Sequence, residues 1–484
     1  MKKKNNLLKG KGFLPFTLLP LILSRHPDQS LQRPWNYYQL GLFLLPIIPS
    51  VGGVMLCIAM FITFFRKYKV ISRRPLNRGL VLLSLLFIIS SAIAENQGDA
   101  FLGAFNFLPF FLLFASFSTL VQTFTQLRQI SWLLTIPSGA VVILGLGQLF
   151  LGWATNPPGQ PTILGWELVS GGNPLSRMAS VFMHANVLAG YFVIVFIVAL
   201  GLLLSITQKL IPKLGGKQGT KEDKEKTSLS GLDATGLDTS KLDVFGSNIY
   251  VTIFLTIIVA LDFLGLILTN SRNAWSIALG ACFIYAVYLG WRLIVATVTA
   301  IATSVLLAAF APSPIAELFR KFVPAFFWAR FNDQLFPDRP VASLRTVQWE
   351  FAWSMTTQRP FTGWGLRNFS QIYQAKMNFP LNHPHNLYLM LSAETGIPAT
   401  LLFCSLVGFV LFKAVEIIRK TRDIKPEDRL IFFSYVAVFF GLVIFNTVDI
   451  TIFDIRLNLL SWIILSAICG VVYRMEKINT ISEN

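Results

Sequence analysis

The sequence predicts an all-α polytopic membrane protein of about twelve transmembrane helices (10–12), with a helical subdomain on its outer face. Three observations predict it. Hydrophobic residues make up 54% of the 484 positions and charged residues only 13%, with a mean hydropathy of +0.60, a balance no ordinary soluble domain shows. Several apolar runs reach the ~20 residues that an α-helix needs to cross a bilayer, with Trp and Tyr near their ends. Basic residues also gather in alternate connections, as the positive-inside rule requires of a multi-pass chain.

The N-terminal transmembrane half, 1–208, opens on a short apolar run at 12–24 and a longer one at 38–65 that Pro46, Pro49, Gly52 and Gly53 interrupt. Together they predict two crossings: either the first run is a short span, or the second is a hairpin, although that run is short for two full spans at ~1.5 Å per residue. Lysines before an apolar run resemble a signal peptide, but Leu23-Ser24-Arg25-His26-Pro27 offers no small-x-small cleavage site, so the segment is expected to be retained. Runs at 79–95, 101–121, 129–151 and 181–208 complete this half. A Lys/Glu/Asp-rich and then Gly/Ser/Thr-rich stretch, 209–246, reads as a solvated cytoplasmic linker.

Three central spans follow within 247–311, at 247–269, 274–291 and 293–311. The segment 312–384 is long and patterned: Leu344, Val347, Trp349, Phe351, Ala352 and Met355 recur near helical spacing, and Gly363-Trp364-Gly365 reads as a turn before Phe369, Ile372 and Tyr373. This predicts an extracytoplasmic helical loop lying on the membrane, for which a plain interfacial cover is the alternative. The last section, 385–484, holds spans at 386–412, 430–447 and 456–473 and a short cytoplasmic tail. No internal repeat relates the two halves, which disfavours a repeat-built transporter.

The net charge of +17 follows from topology. Lys2, Lys3, Lys4, Lys9 and Lys11, then Arg66, Lys67, Lys69, Arg73, Arg74 and Arg78, then Lys413, Arg419, Lys420, Arg422, Lys425 and Arg429 fill connections that the rule places in the cytoplasm together with both termini. Nucleic acid is not a predicted partner. Cys57, Cys282, Cys404 and Cys469 stand alone within apolar runs and form neither a disulfide framework nor a metal set.

Polar residues converge on the outer face. Two of only four histidines fall in Asn382-His383-Pro384-His385-Asn386, where the outer loop turns into a long helix. Such a helix N-terminus favours an anion, and a neutral imidazole there is suited to act as a general base toward a hydroxyl. A polar cap is the alternative for His385 and the favoured reading of His383. Arg272 sits in a tight turn between two apolar helices, where an arginine is costly unless paired or hydrated; snorkelling, or an ion pair with an acid such as Glu394, would also account for it. Arg177 lies nine residues before Asn186. Arg345 lies in the outer loop, accompanied by Arg339, Arg359 and Arg367. Arginine forks from three segments suit a diphosphate. Glu394, within an apolar helix and followed by Gly396 and Pro398, could orient His385, pair with an arginine or mark a kink. Metal binding is not predicted, because His383-Pro384-His385 lacks helical ligand spacing and no carboxylate triad accompanies it. Asp449 and Asp454 rank behind Arg272 and His385 as candidate acids, and His184 and His26 have structural explanations.

These residues resemble the bacterial O-antigen ligase and polymerase-like membrane glycosyltransferases. The ligase pattern is His followed by Asn, Ser or Gln, nine residues, Gly, two residues and Gly. His385, Asn386 and Gly396 match it, and Ala399 replaces the last Gly. Arg177 with Asn186-Val187-Leu188-Ala189-Gly190, Ser271-Arg272-Asn273-Ala274-Trp275, Arg345 with Trp349, and Arg359-Pro360-Phe361-Thr362-Gly363-Trp364-Gly365 follow the family's order, so the resemblance covers roughly 170–455.

The resemblance implies transfer of a glycan from an undecaprenyl diphosphate carrier to a hydroxyl on a lipid, glycan or protein acceptor. This would occur at the outer face of the cytoplasmic membrane, during surface polysaccharide or lipopolysaccharide biosynthesis, without metal or other cofactor. Arg177, Arg272 and Arg345 would hold the diphosphate and His385 would activate the acceptor, with Asn386, Glu394 and Asn186 in support. Polymerase and protein O-oligosaccharyltransferase activities are alternatives within this class. An anion (bicarbonate) transporter with an Arg-lined vestibule is the alternative outside it.

Overall fold

The computed structural model describes residues 23–155, 165–214, 239–328, 340–421 and 424–483. The run at 12–24 lies almost wholly outside them, as do Lys2 to Lys11, most of the 209–246 linker, Arg339 and Arg422. The described residues form helices joined by loops and include no strand. Ten helices among the described residues are long and apolar enough to cross a membrane, so the protein is an all-α, multi-pass membrane protein.

Residues 32–73 form a helical hairpin. Helix α1 (Gln32–Leu44) turns through Pro46 into α2 (Pro49–Arg73). A Cβ on Gly52 would lie 2.7 Å from the Leu45 backbone, and one on Gly41 would lie 2.9 Å from the Gly52 carbonyl, so the two legs meet through bare backbone. The hairpin is longer than the apolar run 38–65 because α2 continues, across a kink at Lys67, to Arg73, with Arg66 donating to the Ser30 carbonyl and Lys67 to Asp28.

Next come α3 (Pro75–Ala92), then α4 (Gln97–Ala104) and α5 (Leu108–Leu120), where the sequence shows a single run. Helix α6 (Phe124–Phe150) starts on a capping box in which Thr123 and Gln126 satisfy each other's backbone N–H. Helices α7 (Ala185–Leu214), α8 (Thr239–Leu268), α9 (Arg272–Tyr288) and α10 (Arg292–Phe310) follow. The surface segment contributes α11 (Ser313–Arg320), α12 (Arg345–Gln358) and α13 (Asn368–Met377), and α14 (Leu387–Lys420), α15 (Pro426–Phe445) and α16 (Ile455–Glu483) close the chain.

One end of the bundle is fastened by charge. Lys67 pairs with Asp28 at 2.7 Å, Arg128 with Asp428 at 2.7 Å and Lys413 with Glu476 at 3.2 Å. Buried Arg74 donates to Ser118 Oγ at 2.8 Å and lies over the Tyr473 ring. His26 belongs to this end, its ring nitrogens against the Asp28 and Leu120 carbonyls at 2.9 Å each, which is a structural role.

The opposite end carries the surface subdomain. Ala352 and Met355 of α12, Phe369 and Tyr373 of α13 and Ala393 of α14 form its own small core. The Gly363-Trp364-Gly365 turn lies directly on α14: Trp364 N–H donates to the Ala393 carbonyl at 3.0 Å and Gly365 N–H to that of Glu394 at 2.8 Å. There α14 is broken at Gly396, which has φ +82°, a conformation open to glycine. The break leaves Ile397 N–H to reach the Pro360 carbonyl at 2.7 Å.

Candidate active site

At the subdomain end, the loop 446–454 between α15 and α16 meets the start of α14. Asn386 is the N-cap of α14, its side-chain oxygen accepting from the Tyr388 and Leu389 N–H groups at 3.0 Å each, and Leu387 N–H donates to the Asn446 carbonyl at 2.9 Å. The cap fixes the residue before it: His385 has φ +53°, a left-handed conformation that histidine tolerates better than most residues.

His385 Nδ1 lies 3.3 Å from Asp449 Oδ1. The other carboxylate oxygen of Asp449 accepts from Asn186 Nδ2 at 3.3 Å, Asn186 Oδ1 accepts from Arg177 Nη2 at 2.6 Å, and Arg177 Nε donates to the Thr269 carbonyl at 2.8 Å. One hydrogen-bonded chain therefore links Arg177, Asn186, Asp449 and His385. Burial pushes the Asp449 carboxyl up, but the hydrogen bond and charge of His385, the Ile450 N–H and His383 together hold it below its ordinary value.

His383 packs edge-on against His385 with ring centroids 4.5 Å apart, stacks on Phe453 and accepts the His385 N–H at Nδ1. Burial, followed by the charges of His385 and Arg345, lowers its pKa to about 4 against the pull of Asp449. Arg345 opens α12 and so acts on His383. One turn along, Trp349 Nε1 donates to the Pro384 carbonyl at 3.0 Å. Arg272 opens α9 three residues beyond Thr269, the residue that receives Arg177.

The Arg177 loop is held from beneath. Gln148 Oε1 accepts the Ala179 and Ser180 N–H groups, and Met178 N–H donates to the Leu268 carbonyl. Ser176, Ser180 and Met183 all have positive φ, a concentration of backbone strain that the surrounding contacts sustain.

Glu394 is elsewhere. Its carboxylate, 2% exposed, accepts the Phe369 N–H at 3.3 Å, and its carbonyl accepts from Ser90, so it belongs to the joint between subdomain and α14. Arg359, which lies over Trp364 and pairs with Glu95 at 3.5 Å, serves the same joint. Asp454 caps α16 by accepting from Arg456 and Leu457 N–H groups.

Two residues at the centre stand out less in the sequence than they do in space. Asp449 is the partner of His385, and His184 lies close enough to Arg177 and Asp449 that burial and the Arg177 charge lower its pKa; it also accepts the Asn186 N–H at Nδ1. Asp449 also supplies the carboxylate missing from the histidine pair. His383, His385 and Asp449 have ligand atoms within 4.8 Å of one another and could hold a metal ion; His385 Nδ1 is hydrogen-bonded to Asp449 Oδ1, and His383 Nδ1 accepts the His385 backbone N–H.

A family model described as O-antigen ligase matches residues 257–404, a stretch that includes Arg272, Arg345, His385, Asn386, Glu394 and Gly396. Arg177, Asn186 and Asp449 lie outside it. A search of curated proteins finds no match. Over residues 257–404, therefore, this multi-pass chain is O-antigen ligase-like.

Proposed function

We propose that the protein transfers a glycan from a polyprenyl diphosphate carrier to an acceptor hydroxyl at the outer face of the cytoplasmic membrane, without a metal ion. The observation that carries this reading is the Arg177–Asn186–Asp449–His385 chain. Asp449 accepts the Nδ1–H of His385, which leaves Nε2 as the basic nitrogen. The acceptor oxygen attacks the anomeric carbon, its proton passes to Nε2, and the bond from that carbon to the diphosphate breaks. Arg177, Arg272 and Arg345 offset the charge gathering on the leaving diphosphate, as a metal does in other transferases. Asn186 orients both Arg177 and Asp449. The basic residues of the opposite end support placing that end in the cytoplasm.

The test is transfer in vitro from a polyprenyl diphosphate glycan in the presence of EDTA. Activity that survives EDTA and is lost in His385→Ala and Arg272→Ala supports the mechanism; full activity in either variant overturns it. A second reading, a metal-assisted transfer, is favoured by the proximity of His383, His385 and Asp449. It predicts loss in EDTA and recovery on adding a divalent ion. The surface glycan profile of a deletion strain separates activities: unattached chains mark a ligase, and single repeat units a polymerase. Against anion transport, the arginines gather at one end, and Asp262, a fully buried carboxyl within α8, makes no relay by itself.

A further inference from the structure

His184 is the N-cap of α7: its carbonyl accepts the Leu188 N–H at 3.0 Å, and its ring Nδ1 accepts the Asn186 N–H at 3.2 Å. Histidine is not among the residues that helices favour at this position, where Asn, Asp, Ser or Thr satisfies the same N–H. The cap therefore leaves the choice of an imidazole unexplained. The backbone on either side is fixed by one residue. Asn173 Nδ2 donates to the Met183 carbonyl at 2.6 Å, and the Asn173 carbonyl accepts the Ala185 N–H at 2.9 Å. An exposed histidine is thus held where the charges of Arg177 and Asp449 both act on it.

The cap bond also decides where the ring carries its proton. An Nδ1 that accepts an N–H has no proton of its own, so the neutral ring holds it on Nε2. His385 is the reverse on the proposed mechanism, with Nδ1–H toward Asp449 and a basic Nε2. Two imidazoles of one site therefore present opposite Nε2 atoms, one an acceptor and the other a donor. Desolvation and then the Arg177 charge lower the His184 pKa against the pull of Asp449, which favours the neutral donor form.

We propose that His184 is a ligand of the leaving diphosphate, its Nε2–H donating a hydrogen bond to a phosphate oxygen beside Arg177 as the bond to the anomeric carbon breaks. The proposal deepens the transfer reading, from which it takes Arg177 as a diphosphate ligand. No proton moves in this contact. The electron pair of the broken carbon–oxygen bond stays on the diphosphate, the acceptor's proton goes to His385, and His184 keeps its own. A neutral donor suits the position, because it stabilises charge gathering on the phosphate without setting a second cation beside Arg177.

Two substitutions separate the donor from the cap. His184→Asn keeps an acceptor for the Asn186 N–H, as Asn386 does for that of Tyr388, but is too short to place an N–H where Nε2 stands. His184→Gln places an amide N–H near that point and is a poor cap. Binding of undecaprenyl diphosphate to the full-length protein in nanodiscs is measured beside transfer and thermal unfolding. His184→Asn is expected to unfold as the unsubstituted protein does and to transfer more slowly. It should bind the diphosphate about tenfold more weakly, as loss of a hydrogen bond to a charged group implies. His184→Gln is expected to unfold at a lower temperature and yet bind several-fold more tightly than His184→Asn. Undiminished binding in His184→Asn would overturn the proposal and leave His184 a cap, as would binding that follows unfolding temperature across the two variants. Repeating the binding in a His385→Ala background separates this contact from the base: weaker binding by His184→Asn there supports the contact even if His385 proves not to act. Undiminished binding in Arg177→Ala, with His184→Asn still weakened, would count against the arginine of the transfer reading and for His184.

Discussion

His385 and His383 are two residues apart and physically unlike, and that difference is testable. Asp449 engages His385, whereas His383 is half-buried and its pKa is lowered. Replacing Asp449 with Asn keeps the shape but removes the carboxylate that fixes the imidazole tautomer; transfer is expected to fall by at least ~10²-fold, the scale of general-base assistance, with the fold retained by circular dichroism. The His383 value near 4 lies below the 6.5 of a free imidazole, so the unfolded chain binds a proton first. Stability is then full above about 6.5 and declines as pH falls through the window from 6.5 to 4. Thermal unfolding across that window should show this slope, and His383→Gln should flatten it. Asn386→Ala removes the cap of α14 at a cost of ~1 kcal/mol, lowering the unfolding temperature rather than abolishing transfer. The sequence displayed both histidines, the arginines and Asn386 openly, because intramembrane and interfacial polar residues are conspicuous against an apolar background. It could not rank Asp449 first, since that partner lies 64 residues from His385 and 263 from Asn186, and only tertiary packing joins them.

Among the elements, α14 shows what hydropathy conceals. Its apolar run reads as one span, yet Gly396 breaks it. A Cβ at Gly396 would sit 2.4 Å from the Phe361 carbonyl oxygen, and one at Gly363 would sit 2.3 Å from the Glu394 carbonyl carbon. Gly363→Ala and Gly396→Ala are therefore expected to loosen the subdomain from α14, read as faster limited proteolysis within 345–377 together with lost transfer. Gly408→Ala, in open space on the same helix, should do neither. The split of 101–121 into α4 and α5 was hidden for the same reason, since Phe105, Asn106 and Phe107 leave the run mostly apolar while its backbone turns. The helices of the subdomain were legible because its apolar residues alternate with polar ones at helical spacing, while the prolines and glycines of 38–65 admitted a hairpin as one of two alternatives, with its true length masked by the charges of α2.

On the scale of the whole molecule, the alternation of basic and site-bearing ends was readable from loop charge alone, because the positive-inside rule acts on composition. If the site end faces outward, a cysteine placed at exposed Phe361 should react with a membrane-impermeant maleimide in intact cells, and one at exposed Arg419 should react only after permeabilisation; the reverse pattern would invert the proposed topology. The chain from Arg177 to His385 also has a bearing on biogenesis. Its first two members emerge from the ribosome with the first half of the protein, its histidine with the start of α14, and its carboxylate only in the connection between the last two helices. Until that final pair is inserted, the imidazole has no anchor, so on the proposed mechanism a truncated or half-made chain is chemically silent toward the lipid-linked sugars around it.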